Sequence, residues 1–99
     1  MRLKPSEVTA ITETAREVFG ERVAVWLFGS RADDAKRGGD IDLYVELPAE
    51  EYAYAKKVRF WGALIAKLGD QKIDIVVNKI GVSCHLPIYD EARLKGVRL

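Results

Sequence analysis

The sequence predicts an α/β (α+β) domain, a small mixed sheet of three to four strands flanked by helices. Three observations carry this expectation. Two long segments repeat their apolar residues at three- and four-residue steps, as amphipathic helices do. Two short segments, DIDLYVE and KIDIVV, alternate apolar and polar residues, as strands do. A six-residue apolar run, VAVWLF, lies between the first helix and the first alternating strand.

Taken in order, residues 6–19 form the first helix, with Val8, Ile11, Ala15, Val18 and Phe19 on one face, Ser6 as N-cap and Gly20 as its stop. Val23–Phe28 is apolar without alternation, which suits a strand covered on both faces. It ends in Gly29-Ser30, and Ser30-Arg31-Ala32-Asp33 fits the capping box of a short helix beginning at Ser30. Asp40–Glu46 alternates, with Ile41, Leu43 and Val45 on one side and Asp40, Asp42, Tyr44 and Glu46 on the other, the pattern of a half-buried strand. Pro48–Leu68 reads as the longest helix, with Glu50 and Glu51 near its positive end and a core stripe of Tyr54, Val58, Trp61, Ile65 and Leu68. Phe60 and Leu64 widen that apolar surface beside Lys56, Lys57 and Arg59, either as a broad core contact or as a partner surface. Lys72–Val77 is the next strand, Asn78–Leu86 a loop with a short extended piece, Pro87–Lys95 a short helix stopped by Gly96, and Val97–Leu99 a strand-like end.

Composition bounds the function. The chain has 99 residues, 48% of them hydrophobic and 31% charged, with a net charge of +1. That length suits one domain over residues 1–99. The charge balance gives no bulk electrostatic case for nucleic acid or an anionic membrane, so no direct nucleic-acid binding is expected. No apolar run approaches the ~20 residues that span a bilayer, and the amino terminus has no apolar signal core, so a cytoplasmic protein is expected. A single cysteine, Cys84, excludes an internal disulfide. Together with the only histidine, His85, it falls short of the four ligands a zinc site usually takes.

The chemistry concentrates in GSRADDAKRGGDID, residues 29–42. Asp40 and Asp42 share a strand face with Cα atoms roughly 7 Å apart. If the Lys72–Val77 strand lies parallel to theirs with its apolar side toward the same helices, Asp74 joins them. The intervening helix is the connection that a parallel crossover needs. The shorter link between the first two strands can reverse the chain and bring Gly29-Ser30 beside Asp40. Carboxylates this close repel one another unless a cation sits between them. Hard oxygen donors suit Mg²⁺ or Mn²⁺, and magnesium completes its shell with phosphate oxygens. Gly29 lets a phosphate approach closely.

This ordered set resembles the nucleotidyltransferase fold of the DNA polymerase β superfamily, most closely its minimal bacterial and archaeal members. The resemblance implies that Gly29 and Ser30 hold a triphosphate, with Arg31 and Lys36 touching phosphates. It implies that Asp40, Asp42 and Asp74 bind two Mg²⁺ ions, Mn²⁺ being possible, and that Asp74 helps activate the acceptor hydroxyl. ATP is the expected donor. Minimal members commonly pair with a HEPN-domain toxin protein and attach AMP to one of its tyrosines as antitoxins. The same resemblance leaves two other readings open: a non-catalytic module that masks a HEPN partner, and a transferase acting on a small molecule. Gly39 departs from the serine often found before the first aspartate, and the loop from Gly-Ser to Asp-x-Asp is short. An Asp-x-Asp glycosyltransferase would need a much larger domain.

Overall fold

The structure is a computed structural model that describes residues 3–32, 39–69, 71–81 and 85–99. Helix α1 spans Pro5–Phe19, followed by strand β1 (Ala24–Phe28), a 3₁₀ turn (Gly29–Arg31), strand β2 (Ile41–Pro48) and a second 3₁₀ turn (Ala49–Glu51). Helix α2 (Tyr54–Leu68), strand β3 (Ile73–Ile80), helix α3 (Pro87–Lys95) and strand β4 (Val97–Arg98) complete the chain. The four strands form one sheet in the order β3-β2-β1-β4. β1 runs antiparallel to both β2 and β4, while β2 and β3 are parallel, so the sheet is mixed and has the larger of the expected strand counts.

The sheet is covered on both sides. Ile41, Leu43, Val45 and Leu47 of β2 join Val25, Leu27 and Ile73 beneath α1 and α2, which contribute Ile11, Ala15, Val18, Phe19, Phe60 and Leu64. Phe19 and Phe60 meet edge to face at 5.2 Å between ring centres. The Lys67 ammonium donates to the buried Thr14 hydroxyl at 2.7 Å, tying α1 to α2. On the opposite face, Trp26, Tyr44, Tyr89 and Ala92 form a second cluster under α3. The expected half-buried β2 is therefore covered on both faces. Tyr44, read as an outward residue, is fully buried because α3 lies over it.

Several local expectations are corrected. Helix α1 starts at Pro5, whose fixed φ suits a first helical position, and Lys4 rather than Ser6 is the cap residue. The Glu7 carboxylate accepts from the Lys4 backbone N–H at 2.9 Å. Pro48 ends a strand instead of opening a helix, since the β2 ladder runs on to pair Pro48 with Ile80. Glu50 and Glu51 sit in the 3₁₀ turn, where both accept from Arg22, at 3.2 and 2.9 Å. β3 continues through Asn78, Lys79 and Ile80, residues that looked like loop. The turn after β1 is a single 3₁₀ turn starting at Gly29 and closed by Ala32 N–H to Gly29 C=O at 3.2 Å. Asp33, Asp34, Lys36 and Cys84 lie outside the described residues. His85 pairs with Asp90 at 3.0 Å.

The largest correction concerns α2. Its buried residues are Phe60 and Leu64, with Ile65 and Leu68 packed at their edge. Tyr54, Val58 and Trp61, expected in the core, are 71%, 49% and 46% exposed. The helix carries enough apolar residues for two stripes, and contact with Phe19 selects the one through Phe60. Among the described residues, no helix is long and apolar enough to cross a membrane.

The rotated stripe is testable by urea unfolding. Phe60→Ala should cost about 3–5 kcal/mol, the usual range for a buried phenylalanine. Trp61→Ala should cost about 1 kcal/mol or less. The reverse ranking would restore the stripe expected from periodicity.

Candidate active site

The candidate groups meet at one end of the sheet. β1 pairs antiparallel with β2, which sets Phe28 opposite Asp42 and brings the following Gly29 against it. Gly29 has a φ of +75°, a region that side chains avoid. A Cβ built there would collide with the Asp42 carboxylate, so that carboxylate lies directly against the Gly29 backbone. Glycine is required at this position twice over, by conformation and by space.

β2 and β3 are in parallel register, with Asp42 opposite Asp74. Both side chains fall on the sheet face away from α1 and α2, as the alternation of each strand dictates. Asp40 precedes β2 by one residue. The Lys72 ammonium lies 3.7 Å from the Asp40 carboxylate and 4.0 Å from that of Asp74, so it stands between two acids of the set. Asp40, Asp42 and Asp74 are thus brought together as expected, and Gly29 with them. The turn also contains Ser30.

Arg31, expected to touch phosphates, is held by two hydrogen bonds at the starts of the acid-bearing strands. Its guanidinium donates to the Gly39 carbonyl at 3.1 Å and to the Gln71 side-chain oxygen at 3.0 Å. These partners sit just before Asp40 and Lys72, so Arg31 links the starts of the two acid-bearing strands. Gln71 is itself anchored, donating to the Leu68 carbonyl at 2.8 Å.

The mutual repulsion of the acids is visible at Asp42. Burial first, then the charges of Asp74 and Asp40, push its carboxyl above the ordinary carboxylate range, while Lys72 offsets part of this. Among the described residues, no three or more His, Cys, Asp or Glu side chains form a group that could hold a metal ion. Magnesium takes only a few protein carboxylates and completes its shell with phosphate oxygens and water. Carboxylate oxygens only partly offset by Lys72, next to the Gly29 turn, are the hard donors such an ion takes.

Behind the acids, a polar chain crosses from β3 to α3. Asn78 donates to the Tyr44 hydroxyl at 3.0 Å, Tyr44 donates to Glu46 at 2.5 Å, and Arg93 pairs with Glu46 at 3.4 Å. The Tyr44 hydroxyl is pushed up to about 12 by burial and by its bond to Glu46, so it remains a donor. Lys72, Gln71 and this chain went unread in the sequence. Lys72 alone had a signal, because it shares strand parity with Asp74.

A raised Asp42 pKa has a stability consequence of definite sign. The folded state binds the proton more tightly than the unfolded chain, so stability falls as pH rises through the carboxylate range. Asp42→Asn removes that loss. In EDTA, its melting temperature should exceed that of the parent near about pH 7, with the gain vanishing toward about pH 3. A lower melting temperature at neutral pH would mean that the carboxylates are not in conflict.

A family model described as a nucleotidyltransferase domain matches residues 9–95. No curated protein matches the chain. The matched span runs from within α1 to the end of α3 and takes in the glycine turn and both acid-bearing strands, so the chain belongs to the nucleotidyltransferase domain family.

Proposed function

We propose that the chain transfers a nucleoside monophosphate, AMP from ATP, to a hydroxyl acceptor. The acceptor proposed is a tyrosine of a HEPN toxin partner, and the role is that of an antitoxin. The observation that supports transfer most directly is the register of Asp42 with Asp74 beside the Gly29 turn. Within this reading, Gly29 and Ser30, with Arg31 next to them, take the triphosphate. Asp40, Asp42 and Asp74 hold two magnesium ions, or manganese in their place. When bound, these ions would neutralise the triphosphate and favour ionisation of the acceptor hydroxyl.

The acceptor oxygen forms a bond to the α-phosphorus, and the bond from that phosphorus to the β-bridging oxygen breaks. Pyrophosphate leaves, and the hydroxyl proton passes to the Asp74 carboxylate, which acts as general base. Asp74 suits the role because its side chain is 52% exposed, open to an incoming hydroxyl. Transfer at a protein hydroxyl also fits an acceptor side that is open and carries exposed apolar residues on α2.

The test is transfer of label from radiolabelled ATP, with Mg²⁺, to the product of the neighbouring gene. Asp42→Asn should abolish transfer while leaving a folded chain. Retained transfer would remove Asp42 from the site, and no transfer from any nucleoside triphosphate would count against the reaction. Gly29→Ala should also lose transfer, because its Cβ displaces the Asp42 carboxylate.

A second reading, masking of the partner without chemistry, is favoured by one observation, the exposure of Tyr54, Val58 and Trp61. The two readings separate on Asp42→Asn. If that variant still neutralises the toxin, masking suffices.

A further inference from the structure

β3 is an edge strand, and part of its outer side is open. Ile41 donates its N–H to the Lys72 carbonyl at 2.9 Å, and Ile41 stands opposite Ile73. In a parallel ladder, alternate residues turn both backbone groups to the same neighbour. Asp74 and Val76 therefore bond to β2, while Ile73, Ile75 and Val77 turn their N–H and C=O groups outward. The Val77 carbonyl is taken by the Tyr89 hydroxyl at 3.3 Å. Among the described residues, no hydrogen bond meets the outward groups of Ile73 and Ile75.

That stretch lines a groove of about 360 Å³ formed by Ile73, Asp74 and Ile75 of β3 and by Tyr54, Lys57, Val58 and Trp61 of α2. Tyr54, Val58 and Trp61 follow one another at four- and three-residue steps, a single apolar stripe facing the edge. A bare strand edge beside an apolar helix flank is the arrangement to which an extended peptide adds as a further strand.

We propose that the β3 edge binds an extended polypeptide segment as an antiparallel fifth strand and so presents its hydroxyl to Asp74. This rests on the transferase reading and specifies how its acceptor is held. Because Asp74 turns its own backbone groups inward, the residue opposite it occupies a non-hydrogen-bonded pair, with Cα atoms about 4.5 Å apart and side chains close together. That residue projects on the Asp74 face. Its two neighbours bond to Ile73 and Ile75 and project toward α2, onto Val58, Trp61 and Tyr54. The residue two further on stands opposite Lys72, where an acid makes a favourable cross-strand pair. The segment then reads apolar, hydroxyl, apolar, acid. At the acceptor position the hydroxyl oxygen bonds to the α-phosphorus of the nucleotide, pyrophosphate leaves, and the proton goes to Asp74.

The probe is the peptide acetyl-Thr-Val-Tyr-Val-Glu-amide, added to the full chain at about 1 mM, where even weak binding registers. Amide hydrogen exchange at Ile73 and Ile75 should slow by about tenfold or more. A peptide N-methylated at both valines should give no protection, since it keeps every side chain and loses the strand's donors. Val58→Asp should abolish the protection given by the unmodified peptide. Equal protection by the N-methylated peptide, or none by either, overturns the proposal. So does protection that appears without peptide together with a doubled mass, which would make a second copy the occupant, or protection given by an RNA oligonucleotide instead. Titration with Mg²⁺–ATP is run alongside. Nucleotide binding without edge protection leaves the transferase reading standing and removes this mode of acceptor binding. Absence of nucleotide binding removes the transferase reading itself.

Discussion

Everything at the site depends on the register between β2 and β3. Side chains alternate along a strand, so a one-residue slip would turn Asp74 from the open face into the core beneath α2. Two unrelated sets of contacts prevent it. On the helix side, Ile41, Leu43, Val45 and Ile73 are locked into the main core. On the other side, Glu46 stands opposite Asn78, and Asn78, Tyr44, Glu46 and Arg93 form a continuous polar chain. That chain adds direction to packing, because Asn78 on β3 reaches the Tyr44 hydroxyl of β2 in this register, while Tyr44 donates to Glu46 on its own strand. The buried half of the face holds the exposed half in place.

The acids stand where such a fold can tolerate them. At the end of the sheet the Asp40 and Asp74 side chains are 51% and 52% exposed, so water screens much of their charge. Asp42, between them and against Gly29, bears the conflict that remains, and its carboxyl is raised accordingly. Lys72 is the chain's own partial answer, a long exposed cation reaching two of the three acids. Arg31 acts one step further out, joining the residues just before Asp40 and Lys72, so that the starts of both strands move together.

Much of this could be read from residue order. Strict alternation placed Asp40, Asp42 and Asp74 on one face, and the long helical connection implied that their strands are parallel. Other features could not be read locally. Pro48-Ala49-Glu50-Glu51 has every mark of a helix start, yet Pro48 is held by Ile80 across the sheet and the two acids by Arg22, contacts distant in sequence. α2 has apolar residues on more than one face, so its period admits two stripes, and only the position of Phe19 decides between them. Asn78 looked like a loop residue because its partner, the Tyr44 hydroxyl, is invisible until the strands are paired. In each case the deciding partner lies on another element.

Tyr54, Val58 and Trp61, the first part of the stripe that periodicity assigned to the core, instead flank the β3 edge that carries Asp74. On the proposed function and the strand-addition inference, the small domain would have two sides, a turn and carboxylates for a nucleotide and an edge for what receives it. If Asp42 and Asp74 act as one metal-and-phosphate site, calorimetric titration with Mg²⁺–ATP should show binding to the parent chain that is lost in Asp74→Asn and in Asp42→Asn alike. Equal binding by parent and both variants would contradict it.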